Sequence, residues 1–242
     1  ASSPLKLGID ALTQQRLRVA SAFPTELPQL GELVKRLETQ TRNMSSGDFE
    51  VRVFEPGVLV PMGDAFTAVS AGTVDAVFSS PGHWQNEIPA LQLFSSIPFG
   101  PKPNEYLTWY EFGGGRKLLE EMLATRNIHP LVCGAIPAEA SGWFLKPVNQ
   151  VSDFKGLRVR TFGLGAEVLQ RLGAEVATMD ASEILAAFEE GRLDGAEYSL
   201  PDVDSRIGFQ RMAKNYYFPG WHQPATLFTL LINADVWRDL PD

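Results

Sequence analysis

Two charged residues stand where the sequence otherwise predicts buried strands. Arg160 lies near the end of the apolar segment 157–161 (LRVRT), and Glu197 lies inside the segment 196–199 (AEYS). A guanidinium is costly to remove from water unless an anion meets it, and its planar fork matches a carboxylate. These residues therefore indicate recognition of an organic acid or, alternatively, an internal ion pair between Arg160 and a neighbouring Asp or Glu.

Other chemistries find little support in the residue pattern. The segment 162–168 (FGLGAEV) approaches a dinucleotide-binding loop, but Val168 occupies the third glycine position, where a small residue must let the helix approach its strand. The glycines at 113–115 have no GxSxG motif beside them, and they predict a flexible corner. The histidines have neither metal-site spacing nor catalytic spacing with Cys133. The sequence therefore favours a binding protein over an enzyme.

The composition is that of a globular protein that does not bind nucleic acid. The chain has 242 residues, 44% of them hydrophobic, with 21 Lys and Arg against 29 Asp and Glu. The basic residues are not clustered, which excludes sequence-independent binding to the phosphate backbone of nucleic acids. No apolar run reaches the ~18 residues that cross a bilayer, and the opening ASSPLKLG lacks the regions of a signal peptide. Cys133 is a single cysteine and leaves the redox compartment open.

The two halves of the chain repeat one order of strands and helices. Residues 17–23 (LRVASAF) predict a strand, and they are followed by leucines at helical spacing. Residues 157–161 begin the same order again, with LRV in both places. A second similarity relates residues 68–80 (AVSAGTVDAVFSS) to residues 186–199 (AAFEEGRLDGAEYS). We therefore expect an α/β protein of two similar lobes, each a mostly parallel sheet flanked by helices.

Ligands of such sheets bind beyond the carboxyl ends of the strands. The loops in those positions are residues 21–25 in the first lobe and residues 160–165 in the second. If the lobes face one another, both loops reach one cleft. The expected lobe division is 1–128 with 207–234 for the first lobe and 129–206 with 235–242 for the second.

Longer segments carry a resemblance to a known family over nearly the whole chain. They are FKGLRVRTFGLGAEVLQRLGAEV (154–176), EILAAFEEGRLDGAEYS (183–199), KNYYFPGWHQP (214–224), VLVPMGDAFTAVSAGTVDAV (58–77) and SIPFG (96–100). They resemble the substrate-binding proteins of TRAP transporters, of the DctP type. The segments SGWF, AEY and YYFPGW are most similar to the branch that binds 2-oxo and 2-hydroxy monocarboxylates such as pyruvate, 2-oxobutyrate or lactate.

The resemblance implies a periplasmic receptor of the type II-like periplasmic-binding-protein fold, with a ligand cleft between its lobes. Such a receptor closes on a carboxylate and delivers it to TRAP membrane subunits without catalysis. Some similar proteins also form homodimers, and they continue with further helices beyond the point where this sequence ends. Arg160, the second arginine of KGLRVR, is implied to form the salt bridge to the substrate carboxylate.

The resemblance also implies a bridging metal ion. In that branch the ion is held by a Gln, two Glu residues and a backbone carbonyl; here the matching positions are Glu139, Glu197, Gln223 and Tyr198, with Gln and Glu exchanged at two of them. Glu139, Glu197 and a substrate carboxylate would carry three negative charges against one positive charge on Arg160. A divalent ion would balance these charges, so calcium is preferred and sodium comes next. The alternative is that Glu139 and Glu197 hydrogen-bond to Arg160 without a metal.

Aromatic residues are expected to form the remaining walls of the pocket. Phe23, Phe162 and Trp221 lie on the expected cleft loops, and Trp143 and Phe144 follow Glu139 closely in sequence. Such walls suit a short, mostly apolar acid. The alternatives are a receptor for a larger carboxylate, either a C4-dicarboxylate or an aromatic acid, and an enzyme acting on a metal-bound keto acid.

Overall fold

The computed structural model describes residues 15–240, so residues 1–14 and 241–242, including the opening ASSPLKLG, lie outside the described part. The strands are β1 (Gln15–Ser21), β2 (Phe49–Phe54), β3 (Ala76–Ser79), β4 (Ile128–Pro137), β5 (Gly142–Phe144), β6 (Arg158–Arg160), β7 (Glu175–Ala177), β8 (Gly195–Ala196), β9 (Asn215–Tyr217) and β10 (Ala225–Asn233). The α-helices are α1 (Leu30–Met44), α2 (Ala65–Ser70), α3 (Pro103–Phe112), α4 (Gly115–Ala124), α5 (Gly163–Arg171), α6 (Ala181–Glu189), α7 (Pro201–Ile207), α8 (Phe209–Met212) and α9 (Ala234–Arg238).

The strands form two five-stranded sheets of matching design. The first sheet has the order β2-β1-β3-β10-β4 and the second has the order β7-β6-β8-β5-β9. In each sheet four strands run in one direction, and one strand, β10 in the first sheet and β5 in the second, is antiparallel to both of its neighbours. The expected α/β fold of two similar lobes with mostly parallel sheets is confirmed, and the one antiparallel strand makes each sheet mixed.

An equivalent ion pair occurs in each lobe. Arg18 on β1 donates from Nε and Nη2 to both carboxylate oxygens of Asp75, at 3.0 and 2.8 Å. Arg158 on β6 makes the same contacts with Asp194, both at 2.9 Å. Each aspartate also accepts the backbone N–H of its arginine. The arginines belong to the repeated LRV segments, and the aspartates belong to the similar segments 68–80 and 186–199. The two sequence similarities therefore correspond to one ion pair that recurs in each lobe.

Between β1 and β10 the chain crosses from one sheet to the other twice. Residues 138–141 connect β4 of the first sheet to β5 of the second, and residues 218–224 return from β9 to β10. The crossings are hydrogen-bonded to each other, since Glu139 N–H donates to the Gln223 carbonyl at 3.1 Å and Gly220 N–H donates to the Glu139 carbonyl at 2.6 Å. The expected lobe division remains a prediction, and sheet membership favours boundaries inside these two segments.

The core of the first lobe is built around β10. All nine of its residues are buried, as expected for a strand that has packed side chains on both faces. Phe228 and Leu230 pack with residues of β1 and α1, including Val19 and Val34, and Leu231 packs with α2 and α4 on the other face. Within residues 15–240, no helix is both long and apolar enough to span a membrane.

Candidate functional site

A cleft of about 360 Å³ lies between the two lobes and receives residues from both. The first lobe supplies the loop after β1 and the turn after β3, and the second lobe supplies the loops after β6 and β7. These loops follow the carboxyl ends of parallel strands, where ligands of α/β sheets bind. Of the expected site residues, the lining includes Phe23, Glu139, Arg160, Phe162 and Tyr198.

Arg160 is buried in this cleft and is partly paired. Its Nη1 donates to Oε1 of Glu197 at 3.0 Å and to the Glu197 carbonyl at 2.5 Å, and its Nε donates to the Met179 carbonyl at 3.2 Å. Its Cζ lies 5.1 Å from the centroid of the Tyr198 ring. A protein acid therefore holds part of the guanidinium, which is the internal ion pair that the sequence left open as an alternative. The cause is the parallel pairing of β6 with β8, which places Arg160 beside Ala196 and its neighbour Glu197.

Arg160 nevertheless keeps one nitrogen available. Within residues 15–240, no hydrogen bond reaches its Nη2. The guanidinium borders the cleft. It is also the only Lys or Arg among the described residues that line the cleft. The geometry therefore leaves the two N–H groups of Nη2 for an anion from outside the protein, while the parallel forks that use Nε or Nη1 are engaged.

Glu197 and Glu139 are buried carboxyl groups of unequal acidity. Burial alone would raise the pKa of Glu197, but the contact with His222 and the charge of Arg160 hold that pKa below its usual value. His222 Nε2 lies 3.6 Å from Glu197 Oε2. No residue from 15 to 240 places a cation as close to Glu139, so burial and the negative charges of Glu197 and Asp204 raise its pKa well above the usual value.

The side chain of Gln223 connects the two carboxylates. Its Nε2 donates to Glu139 Oε2 at 2.7 Å and lies 3.4 Å from Glu197 Oε2. Thr226 Oγ1 lies 3.4 Å from Glu139 Oε1. The expected residues Glu139, Glu197 and Gln223 thus come together from three distant parts of the sequence.

This group of oxygen atoms fits a hard cation. Two buried carboxylates converge on one amide, and if the Gln223 amide turns over, its oxygen replaces the N–H group between them. Residues 15–240 contain no group of three or more His, Cys, Asp or Glu side chains that could hold a metal. A site with two carboxylates therefore needs further neutral oxygens, and the backbone carbonyl of Tyr198 remains a predicted ligand.

The expected aromatic walls are only partly together. Phe23 and Phe162 border the cleft from opposite lobes. Trp221 does not line it; its ring borders a separate cavity and lies 5.5 Å from the Phe99 ring in a stacked arrangement. Trp143 donates its indole N–H to Asp204 at 3.0 Å. Phe144 is in the core of the second lobe.

The separate cavity in the second lobe is larger, about 460 Å³, but it does not fit an organic acid. Its walls are mostly apolar, with Val159, Leu169 and Leu172 among them, and no Lys or Arg from residues 15–240 lines it. A buried carboxylate there would have no cation to meet it. Glu197 is among the residues that line this cavity, and its Oε1 forms the ion pair with Arg160.

Sequence reasoning missed polar residues that surround the expected set. His83 follows β3, and Thr226 lies on β10 after the second crossing. His83 was identifiable from its position after a strand, because its turn follows the carboxyl end of β3, as residues 21–25 follow the carboxyl end of the parallel β1. Thr226 gave no signal, since the pairing of β10 with the first sheet depends on contacts distant in sequence.

Asp204, on α7, is a buried acid behind the site. Trp143 Nε1–H and Ser199 N–H donate to its two carboxylate oxygens at 3.0 and 3.1 Å. Burial, with a smaller contribution from Glu197, raises the pKa of Asp204 to about 7. The folded protein therefore holds this proton over a range in which the unfolded chain releases it.

We expect Asp204 to make the protein less stable as pH rises from about 4 to about 7. Because its folded-state pKa is raised from 3.8 to about 7, the unfolded chain binds fewer protons in that range. The free energy of unfolding should fall by up to about 1.4 kcal/mol per pH unit from this group. Asp204→Asn should make the slope shallower in urea unfolding, whereas Asp202→Asn, an exposed change on the same helix, should not. An equal slope in both variants would contradict this assignment.

The fold and the cleft define a two-lobed solute-binding protein. The chain belongs to the bacterial extracellular solute-binding protein family 7, DctP, whose family model matches residues 19–242. The expectation from the sequence motifs is therefore confirmed at the level of the family. Proteins of this family and the relatives described below are solute receptors and not enzymes.

Three relatives make the comparison specific. A monocarboxylate 2-oxoacid-binding periplasmic protein of Nostoc sp. is 33% identical over 232 residues, which are 95% of this chain and 63% of the relative. A TRAP transporter solute binding protein from Bordetella bronchiseptica, a dimer with copurified calcium and picolinate, has a TM-score of 0.90 at 31% identity over 94% of this chain and 68% of that one. A TRAP periplasmic solute binding protein from Pseudoalteromonas atlantica with sodium and pyruvate has a TM-score of 0.88 at 29% identity, covering 94% and 69%.

The chain spans a little under two thirds of the length of the Nostoc relative. The two solved structures hold a metal ion together with a small carboxylate, and the ion differs between them. The likeness therefore supports a metal ion in this family without choosing between calcium and sodium.

Proposed function

We propose that this protein is the periplasmic receptor of a TRAP transporter and binds a small 2-oxo or 2-hydroxy monocarboxylate. The ligand carboxylate would meet Nη2 of Arg160, and a cation held by Glu139, Glu197, Gln223 and the Tyr198 carbonyl would bridge ligand and protein. TRAP membrane subunits would be the partners that receive the acid. A homodimer is part of the proposal, to be checked by light scattering.

The observation that carries the proposal is the half-paired Arg160 in the cleft. A buried guanidinium with one open nitrogen favours an anion, and Phe23 and Phe162 beside it favour a short, apolar remainder. The names of the relatives support the same class, since one is described as binding monocarboxylate 2-oxoacids and another holds pyruvate.

The charge in the cleft argues for a cation beside the acid. Glu139, Glu197 and the ligand carboxylate together carry three negative charges when ionised, against one positive charge on Arg160. Burying the excess would be costly, and a divalent ion would cancel it. The cation would supply a positive charge that both lobes and the ligand can share. Calcium is preferred on this ground, and sodium comes next.

A larger aromatic acid is the second candidate. The cleft of about 360 Å³ exceeds what a three-carbon acid fills, and the Bordetella relative holds picolinate. A C4-dicarboxylate is less favoured, because among residues 15–240 the cleft lining has no second Lys or Arg for its other carboxylate.

A thermal-shift panel tests the substrate class. The purified protein with calcium and sodium present should be stabilised by pyruvate, 2-oxobutyrate or lactate, because a ligand that binds only the folded state raises the melting temperature. At a ligand concentration of 100 times Kd the gain is about 2.7 kcal/mol. Picolinate and succinate complete the panel. Stabilisation by succinate alone would contradict the monocarboxylate assignment, and no response to any acid would contradict the proposed function.

A further inference from the structure

The partial pairing of Arg160 creates a need for a second donor. Nε and Nη1 of Arg160 are engaged by protein oxygens, so only Nη2 remains for a ligand among the contacts of residues 15–240. A carboxylate has two oxygens with about four acceptor positions. One guanidinium nitrogen cannot satisfy a buried carboxylate, and unsatisfied buried acceptors are costly. Beside the proposed cation, a further hydrogen-bond donor in the cleft lining would therefore stabilise the bound carboxylate.

His83 is placed to supply that donor from the opposite lobe. It lies in the short 3-10 helix Pro81–Trp84, immediately after β3 of the first sheet. Its ring opens to the cleft between two aromatic rings, 6.1 Å from the Phe23 centroid and 5.4 Å from the Phe162 centroid. Phe162 follows Arg160 closely on the second lobe, so His83 faces the same part of the cleft.

The contacts of His83 favour one position of the ring proton. Ser79 Oγ lies 2.5 Å from Nδ1 of His83. Within residues 15–240, the other acceptor of this hydroxyl is the Ser80 carbonyl, which is farther away at 3.5 Å. The hydroxyl proton is therefore assigned to the bond with Nδ1, which leaves the hydrogen of a neutral imidazole on Nε2. Partial desolvation by the surrounding protein atoms and, secondarily, the charge of Arg160 lower the pKa of His83, which keeps the ring neutral near pH 7. No residue of the described part of the chain hydrogen-bonds Nε2.

We infer that His83 is a ligand-contacting residue, whose Nε2–H donates a hydrogen bond to the ligand carboxylate that Arg160 binds from the other lobe. The inference rests on the proposed function, and it adds a residue and a role to the acid site. Because the two donors belong to different lobes, an acid held by both would favour the closed arrangement of the cleft. Phe23 and Phe162 would hold the imidazole ring in place for this contact.

The variant His83→Phe tests the donor without removing the ring. Phe keeps an aromatic ring between Phe23 and Phe162 but has no N–H group. Calorimetry with pyruvate should show about ten-fold weaker binding, as expected for the loss of one hydrogen bond to a charged acceptor. His83→Gln restores a donor and should recover part of that loss. A melting curve of each variant separates weaker binding from misfolding.

His129→Phe is the matched control. His129 stacks on Trp237 with ring centroids 4.1 Å apart, outside the cleft lining, so the same substitution there should leave pyruvate affinity unchanged. If His83→Phe binds pyruvate as tightly as the unaltered protein, His83 is only a spacer and the inference fails while the proposed function stands. If the unaltered protein binds another acid of the panel, that acid replaces pyruvate in the same comparison. If it binds no acid, both the proposed function and the role of His83 are overturned.

Discussion

Replacing Arg160 by Gln should abolish measurable binding of small organic acids, with a loss of at least 100-fold in affinity. The substitution removes the one fixed positive charge among the described residues that line the cleft, and truncating a partner of a buried charged pair costs about 2 to 5 kcal/mol. It also leaves Glu197, which is 2% exposed, without its cation. We therefore expect a second effect, a lower free energy of unfolding by about 3 to 5 kcal/mol.

Arg158→Gln is the matched control for that experiment. Arg158 lies two residues earlier on β6, but it and its partner Asp194 are partly exposed to solvent, and neither residue lines the cleft. A solvent-screened pair contributes little, so this variant should lose little stability and no acid affinity. Calorimetry gives the affinity, and urea unfolding gives the stability. Arg160→Gln that still binds pyruvate as tightly as Arg158→Gln would remove the basis of the proposed acid site.

The second large effect concerns the cation. Chelation with EGTA should weaken pyruvate binding by about 100-fold if calcium bridges ligand and protein, and added calcium should restore it. Glu139→Gln should already bind weakly and should no longer respond to either treatment, because it removes one of the two carboxylates. Calorimetry with and without EGTA measures both.

Two further arms identify the ion and exclude a general charge effect. Replacing sodium by choline in the buffer should weaken binding only if sodium occupies the site. Glu175→Gln, an exposed change on β7 of the same sheet, should respond to EGTA as the unaltered protein does. Binding that is indifferent to both EGTA and choline would refute the bridging cation.

Local patterns in the sequence predicted much of the fold. The helix Ala65–Ser70 buries Phe66 and Val69 as its spacing indicates, and Gly72 follows it with a positive φ of 75°. The equivalent Gly191 in the second half has a φ of 65°. Such signals are visible because a helix and the glycine that ends it are encoded within a few neighbouring residues.

Contacts between distant residues explain what the sequence did not reveal. The bond between Arg160 and Glu197 joins residues 37 positions apart, and nothing in either segment specifies the register of β6 against β8. The sequence therefore left the partner of Arg160 open between a ligand and a neighbouring acid, and the members of the site remain predictions. Trp221 is a similar case, because its loop is on the second crossing and its ring turns toward Phe99.

The two crossing segments join the lobes and also carry cation-site residues. Glu139 lies on one crossing and Gln223 on the other, and their backbones are hydrogen-bonded to each other. A rotation of one sheet against the other must therefore bend the backbone on which these side chains stand. An ion bound by both side chains would restrain these two connecting segments. The mechanical stiffness of the receptor should therefore increase with ion occupancy even before an acid binds.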